Sequence, residues 1–465
     1  MRITRVIVKD LFNLFNHEIP FNLDEGVTII HGPNGFGKTV ILNMIFKIFH
    51  SEYYYFYSLP FDQFILYFDN GSILTLKKQL KRKRKISRIE KKISQMEGEE
   101  VSLSLEFEEP NKPDVKTFPI TPFDPQKLGF PLGLIDEEIP DLQRIGPKLW
   151  YNSRTQEKLS LYRVLEIYGD ELPINREFIS QDIAQEPPWL KEIKNSVNIH
   201  LIETQRLLRI NKTEASYRYK ERYRGTATPV VIEYSRALAQ LIEKTFARYG
   251  AISQSLDRTF PLRSLEIADT KKYSIPQLKD QLIELESKRF NFEKTGVLDA
   301  ETKIDFDAFF KKINSQNKNM ISVYLSDTQN KLAVLDDLYQ RISEFKRIIN
   351  SRFLYKQMSV NRTTGYSFTT NNGEVLPPNV LSSGEQNELI LFFDLLFNVS
   401  PNSLILIDEP ELSLHVDWQE KFLNDLLEIT KIRGFSALIA THSPEIINNR
   451  WNLTVELEGP AKGIK

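Results

Sequence analysis

Gly32-Pro33-Asn34-Gly35-Phe36-Gly37-Lys38-Thr39 is the stretch on which the fold of this 465-residue chain turns. It matches the phosphate-binding pattern G-x-x-x-x-G-K-[ST]. Its three glycines let the backbone curl tightly enough for successive N–H groups to point at one anion. Val27-Thr28-Ile29-Ile30-His31 before it reads as a short apolar strand. Thr39 to Phe49 after it reads as a helix, with apolar residues at Ile41, Leu42, Ile45, Phe46 and Phe49. A strand, a glycine-rich turn and a helix N-terminus in that order form an anion site, because the free N–H groups and the positive end of the helix converge there. Residues Gly32 to Val40 are therefore the expected ATP-binding segment. Lys38 is expected to reach the β- and γ-phosphates, and the Thr39 hydroxyl to ligate Mg²⁺.

The complement to this loop lies some 350 residues later. Leu404-Ile405-Leu406-Ile407 runs into Asp408-Glu409-Pro410. A carboxylate at the end of a buried strand is costly unless something pairs with it, and Mg²⁺ is a natural partner for Asp408. Glu409 is the candidate general base that orients and polarises an attacking water. Leu381-Ser382-Ser383-Gly384-Glu385-Gln386 precedes a helix from Asn387 to Leu396, and its serines and glycine suit a helix N-terminus facing an anion. His442 follows the strand Ser436 to Ala440.

Composition bounds the rest. A chain of this length fits a head domain plus inserted material. Hydrophobic residues make up 41%, and 61 Lys+Arg against 62 Asp+Glu give a net charge of -1, so the chain is not a polycation built to coat nucleic acid. The absence of cysteine excludes disulfides, thiol nucleophiles and cysteine-ligated zinc, and fits a cytoplasmic location. Met1 to Val8 reads as a strand, not a signal peptide. The apolar stretch Leu389 to Phe397 is interrupted by Asp394 and is too short to cross a bilayer, so no membrane partner is expected.

Along the chain, Phe64–Phe68 and Ile73–Leu76 flank the turn Asp69-Asn70-Gly71, a hairpin signal, and Val101 to Phe107 alternates like a strand. Residues 109–150 hold eight prolines and read as irregular; 109–195 is taken as a proline-rich insertion. Val197 to Ile202 is a strand, ending near Gln205 within a head segment 196–210. Residues 211–359 read as a helical subdomain, with one stripe running from Lys331 to Tyr355 that fits core or coiled-coil packing. Pro229, Pro261 and Pro276 argue against a long uninterrupted arm. Residues 1–108 and 360–465 read as the two lobes of a discontinuous, parallel-rich α/β head.

The four motifs in this order resemble the ATPase head of the ABC superfamily, over roughly half the chain. The form Leu381-Ser382-Ser383-Gly384-Glu385 is closer to the L-S-x-G-E signature of the SMC, Rad50 and RecF-like branch than to L-S-G-G-Q. The resemblance implies that Ser382, Ser383, Gly384 and Glu385 meet the γ-phosphate of ATP bound to a second copy, so that heads pair around nucleotide. It implies that His442 is the switch histidine at the γ-phosphate and that Gln205 senses Mg²⁺, with Gln63 as the competing glutamine. Arg206 and Arg209, beside Gln205, either reach phosphate or are solvated. Leu412 to His415 falls where the family's dimer-contacting loop lies, and His415 either lines the opposing site or packs.

Within the superfamily, His31 to Lys38, Leu256-Asp257-Arg258-Thr259-Phe260-Pro261 and Ile439 to Pro444 are similar to the stand-alone ATPases of anti-phage operons: the PARIS, Septu and retron-associated types. That implies a homo-oligomer that holds a separate nuclease effector, such as a TOPRIM protein, and releases it on meeting a phage trigger protein. The sequence ends at Lys465, soon after His442, which departs from the OLD pattern and puts an intrinsic nuclease in doubt. The alternative is a RecF/Rad50-like ATPase that clamps DNA. Two basic clusters, Lys77 to Lys92 and Arg218 to Arg224 with interleaved tyrosines, suit DNA, an acidic protein surface or a solvated hairpin tip equally.

Overall fold

Alternation of apolar and polar residues builds the first sheet. The computed structural model describes residues 1–81, 100–110, 112–120, 131–146, 149–153, 158–161, 164, 168, 186–202, 208–209, 228–266, 274–299, 309–310, 313–314 and 317–459. Two units result: Met1–Thr204 with Ser400–Leu412 and Gln419–Lys465, and Gln205–Val399 with Ser413–Trp418.

In the first unit β1 (Ile3–Leu11) pairs antiparallel with β2 (Phe15–Pro20). β3 (Val27–His31) leads into the glycine-rich loop and α1 (Lys38–Phe49), and a short α2 (Tyr54–Ser58) follows. β4 (Gln63–Phe68), β5 (Ile73–Lys81), β6 (Glu100–Glu108) and β7 (Lys116–Ile120) complete a six-stranded antiparallel sheet in the order β2-β1-β4-β5-β6-β7. The β4–β5 turn is the expected one: Gly71 has φ 81, and Asn70 Oδ1 accepts the Ser72 N–H at 3.0 Å. Val6, Val8, Phe64, Leu66, Leu74 and Leu105 turn inward and share one core with Ile41, Leu42 and Ile45 of α1. Each such side chain contributes about 1.5–3 kcal/mol.

The proline-rich stretch is less irregular than its composition suggests. Besides β7 it forms α3 (Leu134–Glu138) and a sheet of β8 (Leu142–Gly146), β9 (Leu149–Asn152) and β10 (Lys158–Ser160). Among the described prolines, Pro110, Pro113, Pro131 and Pro140 lie between these elements, while a local core gathers on Trp150, whose Nε1 donates to Asp136 Oδ1 at 2.6 Å. α4 (Pro188–Ser196) then leads to β11 (Ile199–Ile202).

In the second unit β12 (Leu208–Arg209) pairs with β13 (Thr228–Pro229), and α5 runs 37 residues from Val230 to Glu266. α5 continues through Pro261 and ends at Glu266, so no long uninterrupted arm forms among the described residues. Pro261 stands five residues from the helical end, where few later residues depend on the turn it disturbs. Pro229 and Pro276 mark helix starts instead: α6 (Ile275–Thr295) opens at Ser274 with a capping box to Gln277. The stripe Lys331 to Tyr355 is also divided, between α7 (Lys318–Ala333) and α8 (Asp336–Asn350), because the chain turns at Val334 and Leu335. β14 (Lys356–Asn361), β15 (Gly365–Thr370) and β16 (Val375–Leu376) form an antiparallel sheet, and α9 (Ser383–Phe393) follows. Residues 360–399, read from sequence with the C-terminal lobe, thus belong to the second unit.

The chain then returns to the first unit through β17 (Leu404–Asp408), α10 (Val416–Arg433), β18 (Ser436–Thr441), α11 (Pro444–Ile447) and β19 (Thr454–Glu456). A five-stranded parallel sheet results, in the order β11-β17-β18-β3-β19. The fold is therefore α/β, with a P-loop strand inside a parallel sheet. Among the described residues no helix is long and apolar enough to cross a membrane.

Candidate nucleotide site

The carboxyl ends of β3, β17 and β18 lie side by side, and residues just past them converge, as ligand sites in parallel sheets do. Past β3, Gly32, Gly35 and Gly37 have φ of 151, 84 and 91. Gly37 has a packing reason as well: a Cβ there would sit 2.6 Å from Leu11 Cδ2. Pro33, Asn34 and Gly35 are exposed, so their backbone is open to a ligand. Phe36 props the loop from below. Its ring is 5.0 Å from that of Phe15, and its carbonyl accepts a 2.9 Å bond from His17 Nε2. Burial lowers the His17 pKa, and the bond to Phe36 opposes it.

Lys38 opens α1 and is buried. Its ammonium donates to the carbonyls of Gly32 (2.7 Å) and Pro33 (3.1 Å) and to Nδ1 of His442 (3.2 Å). An ammonium has only donors, so His442 accepts on Nδ1 and, being neutral, carries its proton on Nε2. That Nε2 lies 3.8 Å from Glu409 Oε1. Burial pulls the Lys38 pKa down, while Glu409, Glu411 and Asp408 hold it up. The neighbouring Thr39 is exposed, donates to Asp408 Oδ1 at 3.0 Å, and precedes half-buried Val40.

Asp408 ends β17 after four buried residues. Its carboxyl is pushed up to about 6, first by burial and then by Glu409 and Glu411, against the Thr39 hydrogen bond and Lys38. Glu409 has φ 43, a conformation costing about 1–3 kcal/mol for a residue with a side chain, and its N–H donates to Ala440 O at 2.8 Å. Three carboxylates face one ammonium here, and a hydroxyl and a carboxylate stand 3.0 Å apart. The Thr39 hydroxyl and the Asp408 carboxylate are hard oxygen donors that fit a divalent cation.

Five residues expected from sequence are thus brought together: Lys38, Thr39, Asp408, Glu409 and His442. The segment Ser382–Glu385 lies in the second unit, where it caps α9. Ser382 and Glu385 form a reciprocal capping box, and Lys356 Nζ donates to both Glu385 oxygens at 2.7 and 2.9 Å. Burial opposes ionisation of Glu385, but Lys356 and Ser382 keep its pKa below the usual value. Ser382 and Ser383 are exposed and Gly384 has open space around it. Gln205 and Arg206 lie outside the described residues, as do Arg218 to Arg224 and Arg82 to Lys92, and nothing is described of the Arg209 side chain. Gln63 is embedded in the antiparallel sheet, paired with Lys9 and Lys77. His415 is exposed, 3.7 Å from Asp417.

Sequence reasoning missed Glu411, Gln419 and Ser443, which link the segments after β17 and β18, and His17 beneath the loop. The spacing Glu409-Pro410-Glu411 is the one signal that marks Glu411. Nothing local marks His17.

A family model described as "AAA domain, putative AbiEii toxin, Type IV TA system" matches residues 165–448, well over half of the chain. No curated protein matches. Among solved structures, the chain is similar to the Smc head domain of Pyrococcus furiosus with an extended coiled coil bound to the C-terminal domain of ScpA, at 12% identity and TM-score 0.31 over 96% of this chain and 91% of that one. It is similar to the SMC head domain from Thermotoga maritima at 12% identity and TM-score 0.28 over the same shares. A SmcHead bound to the C-winged helix domain of ScpA matches at 10% identity and TM-score 0.32, over 97% and 92%.

Proposed function

Because the chain belongs to this AAA-domain family and is thus a P-loop ATPase, we propose that it is the Mg²⁺-dependent, ATP-operated sensor and scaffold of an anti-phage system, of the kind represented by the PARIS subunit AriA. The observation that carries the site assignment is the closure of Lys38 on His442 and of Thr39 on Asp408 across about 400 residues of sequence. The family description, an abortive-infection type of toxin system, supports the defence setting.

In this reading the N–H groups of Gly32 to Val40 and the Lys38 ammonium receive the ATP phosphates. Thr39 and Asp408 hold Mg²⁺, which when bound supplies charge neutralisation at the phosphate oxygens. Glu409 accepts the proton of the attacking water; a positioned base of this kind contributes roughly 10²–10⁴-fold. His442 donates an Nε2–H hydrogen bond to a γ-phosphate oxygen. Ser382, Ser383, Gly384 and Glu385 of a second copy close over the same phosphate, so heads pair only when nucleotide is present. Gln205 is assigned to Mg²⁺ sensing. The paired heads hold a separate nuclease, a TOPRIM protein for example, until a phage trigger protein releases it.

The test is native mass spectrometry of Glu409→Gln with ATP and Mg²⁺, co-expressed with its genomic neighbours. A stable homo-oligomer carrying a second, nuclease-like polypeptide is expected. A bare dimer that retains DNA would replace this reading with the DNA-clamp one.

A further inference from the structure

The loop bearing His442 is tied from two sides. Glu411 Oε1 accepts the His442 backbone N–H at 2.7 Å. The Glu411 carbonyl in turn accepts from Gln419 Nε2 at 3.3 Å. Gln419 Oε1 stands 2.7 Å from the Ser443 hydroxyl, which is also 2.8 Å from Glu445 Oε2. The circuit Glu411–His442–Ser443–Gln419–Glu411 is therefore closed, joining the segment after β17 to the segment after β18 through the start of α10. The second oxygen, Glu411 Oε2, is buried and has no hydrogen-bond partner among the described residues. The hydrogen bond to His442 thus sets the orientation of this carboxylate.

We infer that Glu411 and Gln419 are positioning residues for His442, holding its loop where the imidazole meets Lys38 and the γ-phosphate. The inference rests on the role proposed for His442. A purely structural tie would change stability and leave turnover alone. A positioning tie acts on kcat, since a displacement of about 1 Å at a reacting group costs about 100-fold. Nucleotide affinity should hardly change, because the glycine-rich loop and two of the three Lys38 contacts lie outside the circuit.

The experiment measures phosphate release and equilibrium binding of a fluorescent ADP analogue for the full chain and for Glu411→Ala, Glu411→Gln, Gln419→Ala and His442→Ala. Glu411→Ala should lower kcat about 10–100-fold with binding within about 3-fold of wild type. Glu411→Gln, whose amide oxygen still accepts the His442 N–H, should stay within about 3-fold in both. Gln419→Ala should lower kcat in the same sense, and Glu411→Ala with Gln419→Ala should fall short of the product of the two losses, as members of one circuit do. Wild-type kcat in Glu411→Ala, or Glu411→Gln as impaired as Glu411→Ala, overturns the inference. If Glu411→Ala does not fold, Gln419→Ala decides: lowered kcat with unchanged affinity supports it and wild-type kcat overturns it. Wild-type kcat in His442→Ala sinks the role of His442 itself, whereas an impaired His442→Ala beside unimpaired Glu411→Ala and Gln419→Ala sinks only this inference.

Discussion

Arg352 and Glu388 form an ion pair in which both side chains are 0% exposed. Arg352 follows α8 and its guanidinium lies 4.7 Å from the Phe392 ring centroid, while Glu388 sits mid-way along α9, the helix that the exposed Ser382 caps. Neither ion can be hydrated if its partner is removed. Glu388→Leu alone should therefore cost about 3–5 kcal/mol, and Arg352→Met alone a similar amount, because each leaves a buried charge. The double replacement removes both charges and supplies apolar volume, so it should lie close to wild type or be more stable. For a unit of about 200 residues, about 2–4 °C of Tm per kcal/mol makes each single loss a drop on the order of 10 °C. Urea unfolding of all four proteins, followed by the tryptophan signal at one pH, gives the cycle. A single variant losing less than about 1 kcal/mol, or a double variant no more stable than either single, would refute the claim that burial of charge dominates here.

Four further outcomes follow from the site and its supports. Lys38→Ala removes charge-assisted bonds worth about 1.5–3 kcal/mol each, so ATP binding by calorimetry should weaken at least about tenfold; unchanged binding sinks the site assignment. Glu409→Gln should bind ATP normally and turn over at least about 100-fold more slowly in a phosphate-release assay, and chelating Mg²⁺ should stop turnover of the wild type. Asp408 has a folded pKa of about 6, above the ordinary 3.8, so between those values the native chain binds the proton more tightly than the unfolded one. That carboxyl then adds stability as pH falls from 6 toward 3.8, while Mg²⁺-dependent nucleotide binding, which needs the anion, should weaken over the same window in a binding titration against pH. Gly365→Ala places a Cβ 1.8 Å from Ser235 O at φ +76, so the second unit should lose on the order of 3 kcal/mol or more in a melting experiment, and a loss below about 1 kcal/mol would contradict the packing of α5 on the β14–β15 hairpin.

The glycine-rich loop and the strands beside it were legible because their constraints are local. Val27–His31, Leu404–Asp408 and Ser436–Thr441 are apolar runs of strand length, and a turn with three left-handed glycines has few other uses. The pairing of β1 with β4, 60 residues away, left no such mark, nor did the ties of Glu411 and Gln419, since a hydrogen bond between distant segments constrains no neighbouring residue. Pro261 does not mark the exact end of α5, for the opposite reason. Its local rule is sound, but a proline near a helical end disturbs little, and α7 packed along α5 holds the helix beyond it, with Arg263 paired to Asp327. The break at Val334 and Leu335 was hidden because apolar spacing continued across it.

The order β11-β17-β18-β3-β19 has a consequence for synthesis. β3 is made among the first 31 residues, yet both its neighbours, β18 and β19, lie beyond residue 435. Lys38 must wait 404 residues for His442, roughly 20–80 s at about 5–20 residues per second on a ribosome. Through that interval an apolar strand with two open edges is available to any other nascent chain, which is the circumstance in which strands mispair. A chain cut short before β18 should therefore leave β3 without either neighbour and lack the His442 side of the phosphate site.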